Sequence, residues 1–402
     1  MNTAVYAIAT MDTKGNELQF VAETLRSVGV PVRTIDVGTL DHATVPADIG
    51  RDKVLDGAAL LTGGDRGTAV SAMAVALRRF LAREFSEGRL SGVIGIGGSG
   101  GTALITPAMR ELPIGIPKVM VSTVASGNTA PYVDSCDITM MYSVVDVAGL
   151  NVVSRTVLRN AAHAMAGMVK HATPDVSTKQ TLGMTMFGVT TSCVTAVRQQ
   201  LEADGYDCLV FHATGAGGRA MENLVRSGLI NGVLDITTTE VADEVIGGVF
   251  PAGPYRFEVL LEKQIPLLLS VGAVDMVNFG AKSTVPKEFR ERRLHVHNEQ
   301  VTLMRTTPDE NRQIARWMAT KLNRSTSPVT LVVPKGGVSA IDAPGQPFYD
   351  PEANAALFDE LRRVLNQTSE RRLVFSPLHI NDPKFAEQLL SEYKTMERRV
   401  GN

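Results

Sequence analysis

The sequence predicts an α/β chain of two Rossmann-like domains, each a mostly parallel sheet flanked by helices, with a cleft between them. Three observations carry this. Short apolar, β-branched runs alternate with helix-length segments of 3.6-residue periodicity, the pattern of strand–helix–strand units with parallel strands. The pattern lapses into a polar, proline-bearing stretch at Val169–Thr181 and then restarts. Several runs end in glycine, hydroxyl or charged residues, and in such sheets ligands sit outside the strand C-termini.

The first run, Thr3–Thr10, reads as a buried strand leading into Met11-Asp12-Thr13-Lys14-Gly15-Asn16-Glu17. A helix follows over Leu18–Val28, with Leu18, Val21, Ala22 and Leu25 on one face and Gly29 as its stop. Val30–Val37 is a second strand, ending in Asp36-Val37-Gly38-Thr39. Next, Gly63-Gly64-Asp65-Arg66-Gly67 opens a helix. An arginine at a helix start is electrostatically misplaced unless an anion sits there, and a guanidinium grips phosphate bidentately. Ser91–Ile96 is a third strand, breaking into Gly95-Ile-Gly-Gly-Ser-Gly-Gly-Thr102 before another helix begins. Glycines bring backbone amides close to a phosphate, and a helix N-terminus adds partial positive charge. Pro117–Ser122 and Ser135–Tyr142 complete the first set of strands, and a helix spans Asn151–Lys170.

Gly95, Gly97 and Gly100 satisfy G-x-G-x-x-G, yet they follow a third strand, and the nearest downstream acid is Glu111. The dinucleotide fingerprint wants the first strand and an acid about 20 residues on, so a nicotinamide cofactor is disfavoured. No P-loop occurs. Convergence at one sheet edge would gather Asp12, Thr13, Lys14, Asp36, Thr39, Arg66, Gly97, Gly98, Ser99, Gly100, Gly101 and Thr102 around a nucleotide. Asp12 and Asp36 are candidates for Mg²⁺.

In the second half, Leu182–Val189 is a strand, Val194–Asp204 a helix stopped by Gly205, and Cys208–Ala213 a strand, repeating the layout of residues 3–39. It ends in a second glycine turn, Gly215-Ala-Gly-Gly218-Arg219, with His212 just before it. Val233–Thr237 precedes Glu240, Pro266–Val271 precedes Asp275, and Val329–Val333 and Arg372–Phe375 are the remaining strands. The domains are expected at 1–174 and 180–402, with the last helix, Asp382–Arg398, packing back on the first. His212, Glu240 and Asp275 stand near strand ends, where they could supply acid–base groups to a small metabolite in the cleft. His295 and His297 alternate on one strand face, but no further metal ligands stand at recognisable spacing.

The charge balance, 40 basic against 42 acidic residues, provides no field for nucleic acid or an anionic membrane. No apolar run approaches the roughly 18 residues of a membrane span. The N-terminus lacks the basic and apolar regions of a signal peptide, and three unpatterned cysteines point to a reducing cytoplasm.

At Met11–Gly15, Gly63–Gly67, Gly97–Thr102 and Phe211–Glu222 the chain resembles a bacterial and fungal family that includes the ATP-binding, inhibitory N-terminal domain of the tomato mosaic virus resistance protein. The resemblance covers essentially the whole chain. It implies two Rossmann-like domains, ATP on the first, a homodimer, and contacts from Lys14, Thr39, Arg66 and Gly98–Gly101. Two other functions remain open from sequence: an enzyme on a small metabolite, and a module whose protein-binding surface the nucleotide stabilises.

Overall fold

Strands buried on both faces organise the structure, a computed structural model that describes residues 3–40, 42–57, 66–172 and 179–400. The chain divides into two compact units, Met1–Asp175 and Val176–Asn402. The polar stretch read as a linker falls at this division, and residues 173–178 within it lie outside the described residues.

The first unit runs β1 (Ala4–Ala9), α1 (Met11–Ser27), β2 (Val32–Asp36), α2 (Arg51–Leu55), α3 (Arg66–Ser86), β3 (Leu90–Gly97), α4 (Ser99–Arg110), β4 (Lys118–Ser122), α5 (Ala130–Val133), β5 (Thr139–Tyr142) and α6 (Val152–Lys170). Its five strands are all parallel, in the order β2-β1-β3-β4-β5. Side chains alternate across a strand, so β1 feeds two cores. Tyr6 and Ile8 join α3 and α4 on one face, while Val5, Ala7 and Ala9 join α1 and α6 on the other. Each large apolar side chain so buried contributes about 1.5–3 kcal/mol. The chain leaves β1 for β2 on one side and returns for β3 on the other. The switch point between β1 and β3 opens a crevice at their C-terminal ends.

The expected polar turn is partly helical: Met11–Thr13 form a short helical turn, Lys14 breaks it at φ −130°, ψ 24°, and the regular helix runs on from Gly15, ahead of the expected Leu18. The cause is remote in sequence: the Asp36 carboxylate accepts from the Met11 amide at 3.0 Å and from the Gly38 amide at 2.8 Å.

The second unit runs β6 (Thr181–Met186), α7 (Thr191–Ala203), β7 (Asp207–His212), α8 (Ala216–Arg226), β8 (Gly232–Thr237), α9 (Thr239–Ile246), α10 (Glu258–Glu262), β9 (Leu267–Gly272), β10 (Met276–Phe279), β11 (Leu294–Asn298), β12 (Val301–Arg305), α11 (Pro308–Leu322), β13 (Val329–Pro334), α12 (Pro351–Val364), β14 (Arg371–Ser376) and α13 (Pro383–Val400). Six parallel strands lie in the order β14-β13-β9-β8-β6-β7. Read from β7, this repeats the first sheet's order and adds one strand, as the restarted sequence pattern implies. A three-stranded antiparallel sheet, β10-β12-β11, is an addition the sequence reading lacks. The apolar stripe of α13 is buried within this unit: Phe385, Leu389 and Tyr393 pack with Val194, Val197 and Leu201 of α7.

Candidate functional site

The crevice between β1 and β3 holds a cavity of about 610 Å³. Its wall comprises Thr10, Asp12, Thr13 and Lys14 from the start of α1, Thr39 and Leu40 after β2, Gly67 and Val70 from the first turn of α3, and Gly98–Gly101 with Leu104 from α4. Three helix starts thus converge, each bringing partial positive charge. Helix α4 carries no side-chain cap: Gly98 is extended at φ −79°, ψ −162°. The amides of its first turn, from Ser99 to Gly101, have no partner within the helix.

Hydrogen bonds below the wall hold this turn. Thr102 Oγ1 donates to the Gly98 carbonyl at 2.8 Å and stands 2.6 Å from Ser122 Oγ, which accepts from the Val124 amide. Gly97 is glycine for packing, since a Cβ there would lie 3.0 Å from Gly101 Cα. Gly100 differs: a Cβ would meet nothing within 4 Å.

Of the expected ligand positions, Asp12, Thr13, Lys14, Thr39, Gly98, Ser99, Gly100 and Gly101 line the cavity. Asp36, Gly97 and Thr102 do not line it; all three are buried, Asp36 as the cap of α1 and Thr102 as the pin of α4. Lys14 reaches the wall with its ammonium donating to the Val147 carbonyl at 2.5 Å. Asp12 accepts from the Leu40 amide at 3.1 Å and so holds the loop after β2. Gly63, Gly64 and Asp65 lie outside the described residues, and Arg66 is described by its backbone alone, as the first residue of α3. Thr10, Leu40, Val70 and Leu104 are wall residues the sequence reading passed over. Leu104, one helical turn after Gly100, was the one with a signal.

In the second unit the switch point, between β6 and β8, is closed by a 2.7 Å hydrogen bond between Thr190 and Thr237. The second glycine turn follows β7, and a carboxylate of the chain itself occupies it. Glu240 Oε1 accepts from the Gly215 amide at 2.6 Å and the Gly218 amide at 3.1 Å. Gly217 is forced, because a Cβ would lie 1.9 Å from the His212 carbonyl oxygen. Beneath the turn Arg256 is fully buried among Glu222 at 2.7 Å, Asp235 at 2.6 Å and Glu240 at 3.4 Å. Burial pushes the Glu222 and Glu240 carboxyls up, with Arg256 pulling the other way. Nothing in the sequence marks Arg256 as buried, because its three partners come from α8, β8 and α9.

Asp275 lies in a different network. Its Oδ2 accepts from Ser339 Oγ at 2.7 Å, its Oδ1 has no partner, and burial raises it to about 7 against the pull of Arg305. His212 is exposed at the end of β7, its ring 5.4 Å from that of Phe187. The three groups read as acid–base candidates therefore have different partners. His295 stands edge-on to Phe348 on β11, and His297 is exposed. Among the described residues no group of three His, Cys, Asp or Glu is arranged to hold a metal ion, and no helix is long and apolar enough to cross a membrane.

Comparison with known proteins gives the chain its place. A UPF0261 protein of Rhizobium meliloti is 51% identical over 395 residues, covering 97% of this chain and 98% of its own. The ToMV resistance protein Tm-1 of Solanum lycopersicum is 49% identical over 419 residues, covering 97% of this chain and 55% of the tomato protein. The solved UDP-GlcNAc 2-epimerase of Methanocaldococcus jannaschii aligns with 97% of this chain and 92% of its own at 9% identity and a TM-score of 0.22, values that support no inference about activity. Residues 3–174 match the N-terminal domain, and residues 179–397 the C-terminal domain, of the uncharacterised protein family UPF0261. The chain belongs to that family.

Proposed function

We propose that the first unit binds a nucleoside phosphate, ATP, with its phosphates on the amides of Gly98–Gly101, with Lys14 supplying positive charge and with Arg66 at the first position of α3. One observation carries the reading. Gly98, Gly100 and Gly101 form the uncapped start of α4 at the edge of a cavity, and Gly100 has open space where a Cβ would go. A glycine inside a helix costs about 1 kcal/mol relative to alanine. Packing does not require it at position 100, whereas close approach of a ligand does. The cavity falls within the roughly 300–1,000 Å³ of ordinary small-molecule sites. Thr39 and Leu40 would face the sugar and base, and Asp12, the carboxylate among the wall residues, would be the group to hold an accompanying Mg²⁺. Glu240 is taken up by the Gly215 and Gly218 amides and Arg256, and His212, Glu240 and Asp275 have no partner in common, so the acid–base reading has no comparable support.

Calorimetry with ATP, with and without Mg²⁺, tests the proposal. Gly100→Asp has open space for its Cβ and brings a carboxylate to the uncapped start of α4. The expected outcome is binding by the wild type and a loss of about a hundredfold or more in the variant, since an unpaired like charge at a phosphate site costs several kcal/mol. Equal affinity with an unchanged melting temperature would remove the glycine turn from the site.

A further inference from the structure

A second cavity, about 500 Å³, opens at the opposite rim of the first sheet. Its wall includes Val32 and Arg33 at the start of β2, Lys53 of α2, Phe80 and Glu84 of α3, and Arg89 just before β3. These ends face away from the switch-point crevice, because all five strands are parallel.

The floor is built. Tyr6, fully buried on β1, donates its hydroxyl to Glu84, and Arg89 Nε donates to the same carboxylate at 2.8 Å. Arg89 holds Glu84 below the usual carboxylate range. Every acid of the wall has a cation of its own. Glu84 takes Arg89, Asp56 takes Arg83 at 2.7 Å, and Asp48 takes Arg26 at 3.0 Å together with the Thr34 amide and hydroxyl. Arg33 and Lys53 are the two wall cations with no hydrogen bond or ion pair of their own among the described residues, although Arg33 also helps Arg89 to hold Glu84 down. They share the wall with the half-buried Val32 and with the edges of Ile49 and Phe80, each 6% exposed, the Arg83 guanidinium lying 5.6 Å from the Phe80 ring centroid.

We propose that this cavity binds a small organic phosphate monoester, its dianionic head between Arg33 and Lys53 and its apolar body against Ile49 and Phe80. Two uncommitted cations match two negative charges, and the guanidinium fork suits a phosphate's oxygens. A body that covers Val32 and the edges of Ile49 and Phe80 adds apolar contact that an inorganic ion lacks.

Phenyl phosphate is the probe, titrated calorimetrically into the intact chain beside inorganic phosphate and phenol. The expected result is saturable binding of phenyl phosphate, weakened by salt because the cations sit at the rim. Phosphate and phenol, each carrying half the chemistry, should bind more weakly by about tenfold or more. The double variant Arg33→Ala, Lys53→Ala changes two exposed side chains, should melt like the wild type, and should lose about tenfold or more in affinity for phenyl phosphate. Gly100→Asp, which blocks the switch-point cavity, should leave that affinity unchanged. Wild-type affinity in the double variant, or loss of binding in Gly100→Asp, would overturn the proposal and leave the reading of the other cavity untouched.

Discussion

Asp275 shows how a residue's chemistry depends on what folds around it. Its position after a strand was legible in the sequence. Its burial was not, because Ser339 and Arg305 reach it from distant elements. Its carboxyl is raised by burial to about 7, and Asp243 likewise to about 7, although Asn278 and Phe250 amides donate to the latter. An acid whose folded pKa lies above its unfolded value of about 3.8 adds stability that is full below pH 4 and lost as pH rises toward 7. Glu222 and Glu240 shift in the same direction. Glu360, held at about 2 by Arg363 and Arg316, has the opposite sign, but its contribution is lost only below about pH 4.5. Between pH 5 and 8 the raised group therefore dominates, and the urea midpoint of the second unit should fall as pH rises. Asp275→Asn keeps an acceptor for Ser339 and removes one of the titrating carboxyls, so its midpoint should move less over that interval. An identical pH dependence in the variant would show that Asp275 does not titrate there.

At the scale of elements, the strands were the most legible because fully buried parallel strands read as unbroken apolar runs. All five strands of the first sheet were anticipated within a few residues. The first turn of α1, Met11–Thr13, was not legible because the carboxylate that accepts from the Met11 amide, Asp36, belongs to another strand and Lys14 kinks the chain before the periodic stretch begins. The antiparallel β10-β12-β11 sheet escaped because the β11–β12 hairpin turns at Glu299-Gln300 with no glycine signal, and Leu294–Asn298 carries polar and charged-type side chains rather than an apolar run. The two glycine turns looked alike in sequence and differ in what their glycines are for. Gly100→Ala adds a methyl group in open space within a helix and should raise the unfolding free energy by about 0.5–1 kcal/mol. Gly217→Ala drives a Cβ into the His212 carbonyl and should cost more than about 3 kcal/mol. Denaturant titration of the two variants checks both signs. Loss of stability in Gly100→Ala would mean that packing, not a ligand, explains that glycine.

Across the whole molecule, one strand order appears twice, and the two copies differ at their strand-end loops. The first keeps an open crevice between β1 and β3. In the second, Thr190 and Thr237 close the equivalent position. The Glu240 carboxylate on the Gly215 and Gly218 amides acts as a permanently tethered competitor. A group fixed by its own helix is present at an effective concentration that free metabolites do not reach. Two glycine turns per chain should therefore yield a single equivalence point in the Arg33→Ala, Lys53→Ala background: a titration with ATP should saturate at about one nucleotide per polypeptide, and saturation at two there would mean that Glu240 gives way.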